Sequence, residues 1–183
     1  MALIDRIRAR LTAAQQGGQS ISLPPPATLV EIAAAESRIG FRLPDLMKQL
    51  YMQIANGGFG PMSGLFGVPS PGAAPDWDLV RAYELLSSDD YYNGGAWPDC
   101  LLPAIDCGHE VFLSVDCSDR QHRVIQLAVD DASLEEADFD DDDRQHRPFP
   151  EHPCSRMYRL VAPSLGEFLA SWSDDEKSAT KGA

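Results

Sequence analysis

Apolar residues recur with a helical period in the first half of the chain and with a strand period in the second. Leu3, Ile4, Ile7 and Leu11 share one face, which predicts an amphipathic helix over residues 2–16, closed by Gly17-Gly18. Residues 21–26 form a proline-rich connector that cannot be helical in its middle. A second helix is predicted over 27–39, with Leu29, Ile32 and Ala33 as its apolar stripe and Gly40 as its stop. Glu36 falls on the same stripe, and a carboxylate aimed at a core needs a cation or backbone donors. A third helix starts at Pro44, whose missing N–H costs nothing in a first turn. Leu46, Met47, Leu50, Tyr51 and Ile54 give it one face, and Asn56-Gly57-Gly58 supplies the left-handed positions that end it.

Residues 59–75, rich in Gly and Pro, read as a loop with an extended piece at 65–68. A fourth helix is predicted over 76–87, with Leu79, Val80, Tyr83 and Leu86 on one side, followed by a loop over 91–99. The period then changes. Residues 101–105, 111–116 and 123–129 read as strands, with Gly108 and Ser118-Asp119 in the turns, and a fourth strand is placed at 156–161. Val111, Leu113 and Val115 alternate with Phe112, Ser114 and Asp116, the pattern of a half-buried antiparallel strand. Ser164 and Glu167 make a capping box before a last helix, whose Leu165, Phe168, Leu169 and Trp172 recur at helical spacing. Helices, then strands, then a helix argue for an α+β fold, with helices packed on a mostly antiparallel sheet. Residues 1–23 are assigned to a helix and linker, 24–173 to the domain and 174–183 to a flexible tail.

The 183 residues suit one domain with its own core, and 44% hydrophobic residues exclude wholesale disorder. The net charge of −13, from 28 acids against 15 bases, changes the picture more. Such a surface repels phosphate, which argues against nucleic acid as a partner, and attracts a basic protein. It also serves simple solubility. No apolar run is long enough to cross a bilayer, and the first residues lack the apolar stretch of a secretion signal, so a cytoplasmic protein is expected. In a reducing cytosol Cys100, Cys107, Cys117 and Cys154 are expected to be free thiols.

Catalytic and cofactor motifs are weak. Gly57-Gly58-Phe59-Gly60 lacks the Lys and Ser/Thr of a phosphate-binding loop, and Gly60 to Gly64 is one residue off a serine elbow. Cys107 and His109 flank a turn, and His146, His152 and Cys154 cluster later, but none has the paired spacing of a zinc site. Asp138, Asp140 and Asp142 offer oxygen ligands without the glycine and terminal glutamate of a calcium loop. No catalytic residue, metal site or cofactor is therefore assigned. Asp140, Asp141, Asp142 and Asp143, with Asp130, Asp131, Glu135 and Glu136, have two readings: a solvated run, or a patch for the basic cleft of a nuclease. Tyr91, Tyr92 and Trp97 likewise serve either as interface anchors or as lids on the core.

Three blocks in order resemble the SUKH superfamily, which includes bacterial immunity proteins and fungal cell-wall-synthesis regulators. The first is Pro26-Ala27-Thr28, then Glu36, Ile39, Gly40, Leu43-Pro44 and Asn56-Gly57-Gly58. The second is Leu102 to Ile105 and the Gly108 turn into Val111 to Asp116, and the third is Ser164 to Leu169. The resemblance implies the α+β fold and a binding role without catalysis. Bacterial members are antidotes that bind and block a cognate toxin, often a nuclease or deaminase. It marks Glu36, Gly40, Leu43, Pro44, Asn56, Gly57 and Gly58 as motif positions, read here as mainly structural, with Glu36 serving backbone N–H groups near the Leu-Pro corner or the glycine turn. Partner surfaces diverge within such a family, so no contact residue transfers. A regulatory interaction module, and a ligand binder or enzyme using a cleft near residues 56–60 and 107–110, stand as alternatives.

Overall fold

The computed structural model of the chain describes residues 2–18, 20–71, 77–88, 97–128 and 158–174. Among these the order is α1 (Leu3–Gln16), α2 (Leu29–Ile39), α3 (Asp45–Gln53), α4 (Leu79–Leu86), β1 (Leu101–Asp106), β2 (Val111–Asp116), β3 (Val124–Ala128), β4 (Tyr158–Ala162) and α5 (Leu165–Asp174). The strands form one antiparallel sheet in the order β1-β2-β3-β4, so the fold is α+β with a C-terminal helix, as the pattern predicts.

The sheet separates two apolar clusters. Leu102, Leu113, Val115 and Val124 belong to the larger, with Ile7 of α1, Ile32 of α2, Met47, Leu50 and Tyr51 of α3 and Leu169 of α5. Leu101, Phe112, Ile125 and Leu127 belong to the smaller, with Leu86 and Trp97. All six residues of β2 are therefore buried, which corrects the half-buried reading of that strand. Alternation of residue type survives, but both faces are covered, and Asp116 is accommodated by ion pairing rather than by solvent.

The stripe of α2 also differs from expectation. Its buried residues are Ile32, Ala35 and Ile39, while Leu29 is 69% exposed and Ala33 faces solvent. The cause is a capping box: Thr28 Oγ1 accepts the Glu31 N–H at 3.2 Å, and Glu31 Oε2 accepts the Thr28 N–H at 2.7 Å. That box starts the helix at Leu29 and sets its rotation. The Thr-x-x-Glu spacing was legible in the sequence. At the other end Gly40 takes the left-handed φ of +86° and donates its N–H to Glu36 O, and so is the stop predicted for this helix.

The two edges of the sheet are treated differently. On the β1 side, the Phe66 N–H donates to Ala104 O at 2.8 Å, so the extended piece after α3 covers that edge. Pro103, which has no N–H, is tolerated because β1 is an outer strand. On the other side β4 is the last strand of the described sheet, with a register irregularity opposite Val124 and Ile125. α1 lies on α5, where Arg6 pairs with Asp174 at 2.8 Å and the Arg10 guanidinium sits 4.7 Å from the Trp172 ring centre.

Candidate functional site

Glu36 is the hub of the corner between α2 and α3. Its side chain is only 10% exposed. Its Oε1 accepts the Leu43 N–H at 2.9 Å, a donor that no helix partner satisfies. Lys48 Nζ lies 3.5 Å from the same oxygen and 2.9 Å from Asp45 Oδ1, and Arg42 reaches Oε2 at 3.3 Å. Hydrogen bonding to Lys48 holds the Asp45 carboxyl below its ordinary range, and the Asp45 contact raises the Lys48 ammonium. Leu43 and Pro44 are buried beneath this network. Glu36→Gln keeps an acceptor for Leu43 but removes the charge facing Lys48 and Arg42. It is expected to cost about 1 kcal/mol, the scale of one charge-assisted bond. The readout is the urea midpoint, and an unchanged midpoint would mean that the charge contributes nothing.

The turn after α3 is pinned by Asn56. Its Nδ2 donates to Val68 O and its Oδ1 accepts the Val68 N–H, both at 2.8 Å and both buried. The Asn56 N–H donates to Pro25 O at 3.2 Å. Tyr51 Oη, fully buried, donates to Phe66 O at 2.6 Å. Gly57 lets the two strands of this loop touch: a Cβ there would stand 2.5 Å from Gly67 N and 2.6 Å from Leu65 O. Residues 36–44 thus form a packed corner and residues 56–58 a packed turn. The cleft considered for a small ligand has its Asn56 amide committed to Val68 on both sides.

A second polar cluster, not picked out in the sequence, closes the β2–β3 hairpin. Asp116 has no solvent exposure, and its Oδ2 accepts from Arg123 at 2.7 Å. Its Oδ1 accepts the Ser118 N–H at 3.0 Å. Arg123 also lies 3.5 Å from Asp119. The signal available was an acid at a strand end with Arg seven residues on, across a turn. The cluster ties the buried Asp116 to the hairpin turn through Arg123 and Ser118, so it is read as scaffold.

Of the partner-contact candidates, Trp97 is described and is 4% exposed, with its Nε1–H donated to Leu101 O at 2.6 Å. It is a core lid and leaves no surface to anchor a partner, because its indole fills the smaller cluster and its one donor is satisfied inside the chain. Tyr91, Tyr92, Asp140, Asp141, Asp142 and Asp143 lie outside the described residues, as do His146, His152, Cys154 and the tail from residue 175. Among the described residues no cluster of three metal-ligating side chains occurs, and no helix is long and apolar enough to cross a membrane.

Cys100, Cys107 and Cys117 carry free thiols. Burial pushes the Cys107 thiol up from 9.0 to about 11, with Asp106 adding to the shift and a backbone hydrogen bond at Leu113 opposing it. Burial raises Cys117 as well, helped by Asp116 and Cys100. Raised values mean that the folded state prefers the neutral thiol. That preference is fully present below pH 9, where the unfolded thiol is also neutral, and is lost as pH climbs from 9.0 toward about 11. A Cys107→Ala/Cys117→Ala variant is therefore expected to lose less stability than the parent across that interval. Parallel declines in urea midpoint would refute this linkage. The same thiols should label slowly with a disulfide reagent at neutral pH, because the thiolate is the reactive form.

Six large apolar side chains are exposed among the described residues: Leu29 and Val30 at the start of α2, Met62 in the loop after α3, Trp77 just before α4, and Leu160 and Val161 in β4. Isolated exposed apolar residues are ordinary, whereas grouped ones mark candidate interfaces.

No curated protein matches the chain. The family model described as SMI1 / KNR4 family (SUKH-1) matches residues 26–171. The match opens just before the Thr28 cap, takes in the Glu36 corner, the Asn56 turn and the whole sheet, and ends within α5. α1 lies outside it, although Ile7 and Leu11 are part of the main core. Because the match spans most of the chain, residues 26–171, the chain belongs to the SMI1 / KNR4 family (SUKH-1).

Proposed function

We propose that this chain is a non-enzymatic, cytoplasmic immunity protein of bacterial type, which binds a cognate toxin domain with a basic surface and occludes it. The observation that carries the proposal is the family match over residues 26–171, since the family supports an immunity or regulatory protein-interaction role in general. The net charge of −13 gives the toxin reading its physical form. An acidic surface accelerates capture of a basic nuclease or deaminase cleft and makes the on-rate sensitive to salt. Tyr91, Tyr92 and Asp140 to Asp143 are kept as candidate contacts on sequence grounds.

The test is direct. The purified chain is mixed with a candidate toxin domain taken from a neighbouring gene, and binding and toxin activity are measured together. The expected result is a stable complex with abolished activity and an on-rate that falls steeply with added salt. A toxin that remains active beside saturating protein would overturn the antidote reading and leave the regulatory module, the family's other general role.

A further inference from the structure

The described surface contains an apolar groove of about 480 Å³ between β4 and α5. Val161 and Pro163 line it from β4 and the residues that follow, Phe168 and Trp172 from α5, and Pro61 from the loop after α3. Glu167 is the one charged side chain among its lining residues. Met62, beside Pro61, is 71% exposed, and Val161, in the bulged outer strand, is 38% exposed. Three observations set this groove apart from an ordinary surface dimple. First, β4 is the outer strand that no described segment covers, whereas the β1 edge is closed by Phe66. Second, Phe168 and Trp172, one helical turn apart on α5, pack on the main core yet stay only partly buried, and both line the groove. Third, Glu167 has no cation within ion-pair distance among the described residues; its Oε1 meets only the Ser164 hydroxyl, at 3.3 Å.

We infer that the β4–α5 groove is a docking site for an extended segment of a protein partner that inserts a bulky apolar side chain beside a lysine or arginine. The apolar side chain fills the space between Val161 and Phe168, where aromatic anchors and excluded water concentrate binding energy. The cation pairs with Glu167. Charge complementarity selects this occupant: the groove's own charge is negative and the chain carries −13, so an acidic segment is repelled and a basic one drawn in. Arg10 already occupies a face of Trp172, which assigns the incoming cation to the Glu167 end rather than to the indole. A second copy of this chain is disfavoured as occupant by the same negative charge. The inference rests on the protein-binding reading above and names the surface and chemistry that reading lacks.

The probe is a displayed library of short random peptides, selected on the full chain. Selected peptides are expected to carry a bulky apolar residue next to Lys or Arg. Their Kd should weaken by roughly tenfold for Val161→Asp and for Glu167→Lys, a factor that salt shrinks for the second variant. Glu167→Gln keeps a capping acceptor, so it separates the loss of charge from any damage to α5, and thermal melting of each variant confirms folding. Leu29→Asp, on α2, should leave the peptides' Kd unchanged. Selection of no apolar–basic pattern, or an unchanged Kd in folded Val161→Asp and Glu167→Lys, overturns the groove. The candidate toxin domain separates the two readings. A toxin bound equally well by both groove variants keeps the antidote reading and removes the groove. Peptide binding lost in the variants without any toxin binding keeps the groove and removes the antidote.

Discussion

Gly57→Ala is expected to destabilise this protein by about 4 kcal/mol. Two terms add. Gly57 has φ +82°, a conformation that costs an L-residue about 1 kcal/mol. The new Cβ would also stand 2.5 Å from Gly67 N and 2.6 Å from Leu65 O, both backbone atoms. A side-chain tip can swing aside, but this backbone is held by Tyr51, Asn56 and the Phe66–Ala104 bond to β1, so the loop must move as a whole. Gly40→Ala is the internal control. It shares a positive φ of +86° but meets nothing within 4 Å, so it should lose only the conformational term, about 1 kcal/mol. For a chain of this size 1 kcal/mol corresponds to about 2–4 °C, so the two melting temperatures should separate by roughly 10 °C. Equal losses at the two positions would show that the loop yields to a methyl group, and the packed-turn account would fail.

Asn56→Ala is the second large effect, expected at about 3 kcal/mol. The side chain is nearly buried and serves both polar groups of Val68 at 2.8 Å. Its removal leaves a backbone N–H and a backbone C=O buried without partners, and each orphan costs about 1–3 kcal/mol. Asn56→Asp discriminates the two bonds. It keeps an acceptor for the Val68 N–H but sets a carboxylate oxygen against Val68 O, so it should be no better tolerated than alanine at neutral pH and should recover part of the loss once the carboxyl is protonated. A fold indifferent to either substitution would mean that water serves Val68 as well as the amide does. Because the extended piece held by Asn56 also closes the β1 edge, both variants should expose that edge and aggregate more readily than Gly40→Ala.

Element type was legible because it is a local property. All nine described helices and strands coincide with segments read from the sequence: the helices from apolar residues at helical spacing, β2 from alternation, and the other strands as short apolar runs bounded by turn residues. Helix ends were legible where the capping chemistry is local: Gly40 and the Ser164–Glu167 box were read, and Thr28–Glu31 was readable although the start of α2 was placed two residues early. Glu36 stood out as an acid on an apolar stripe, with donors expected near the Leu-Pro corner or the glycine turn; the fold places the donor at the corner, the Leu43 N–H. The resemblance read from these segments agrees with the family match over residues 26–171.

What only the tertiary structure decided concerns which face meets which. Whether β2 is covered on one side or two depends on Leu86 and Trp97, which arrive from elsewhere in the chain. Leu29 and Ile32 are equally apolar in sequence, yet one is exposed and the other buried, because the rotation of α2 is set by its cap and by what it packs on. Trp97 could be read as anchor or lid until its indole N–H found Leu101 O. The partnership of Asn56 with Val68, and the groove that joins Pro61 to β4 and α5, bring together residues far apart in the chain, and no local period encodes such meetings. Local sequence specifies directions of side chains along one element. The choice among buried, exposed and interfacial belongs to the packing of several elements at once, which is why this chain's sequence determined its fold class and family, while the candidate surface emerged only from the folded arrangement.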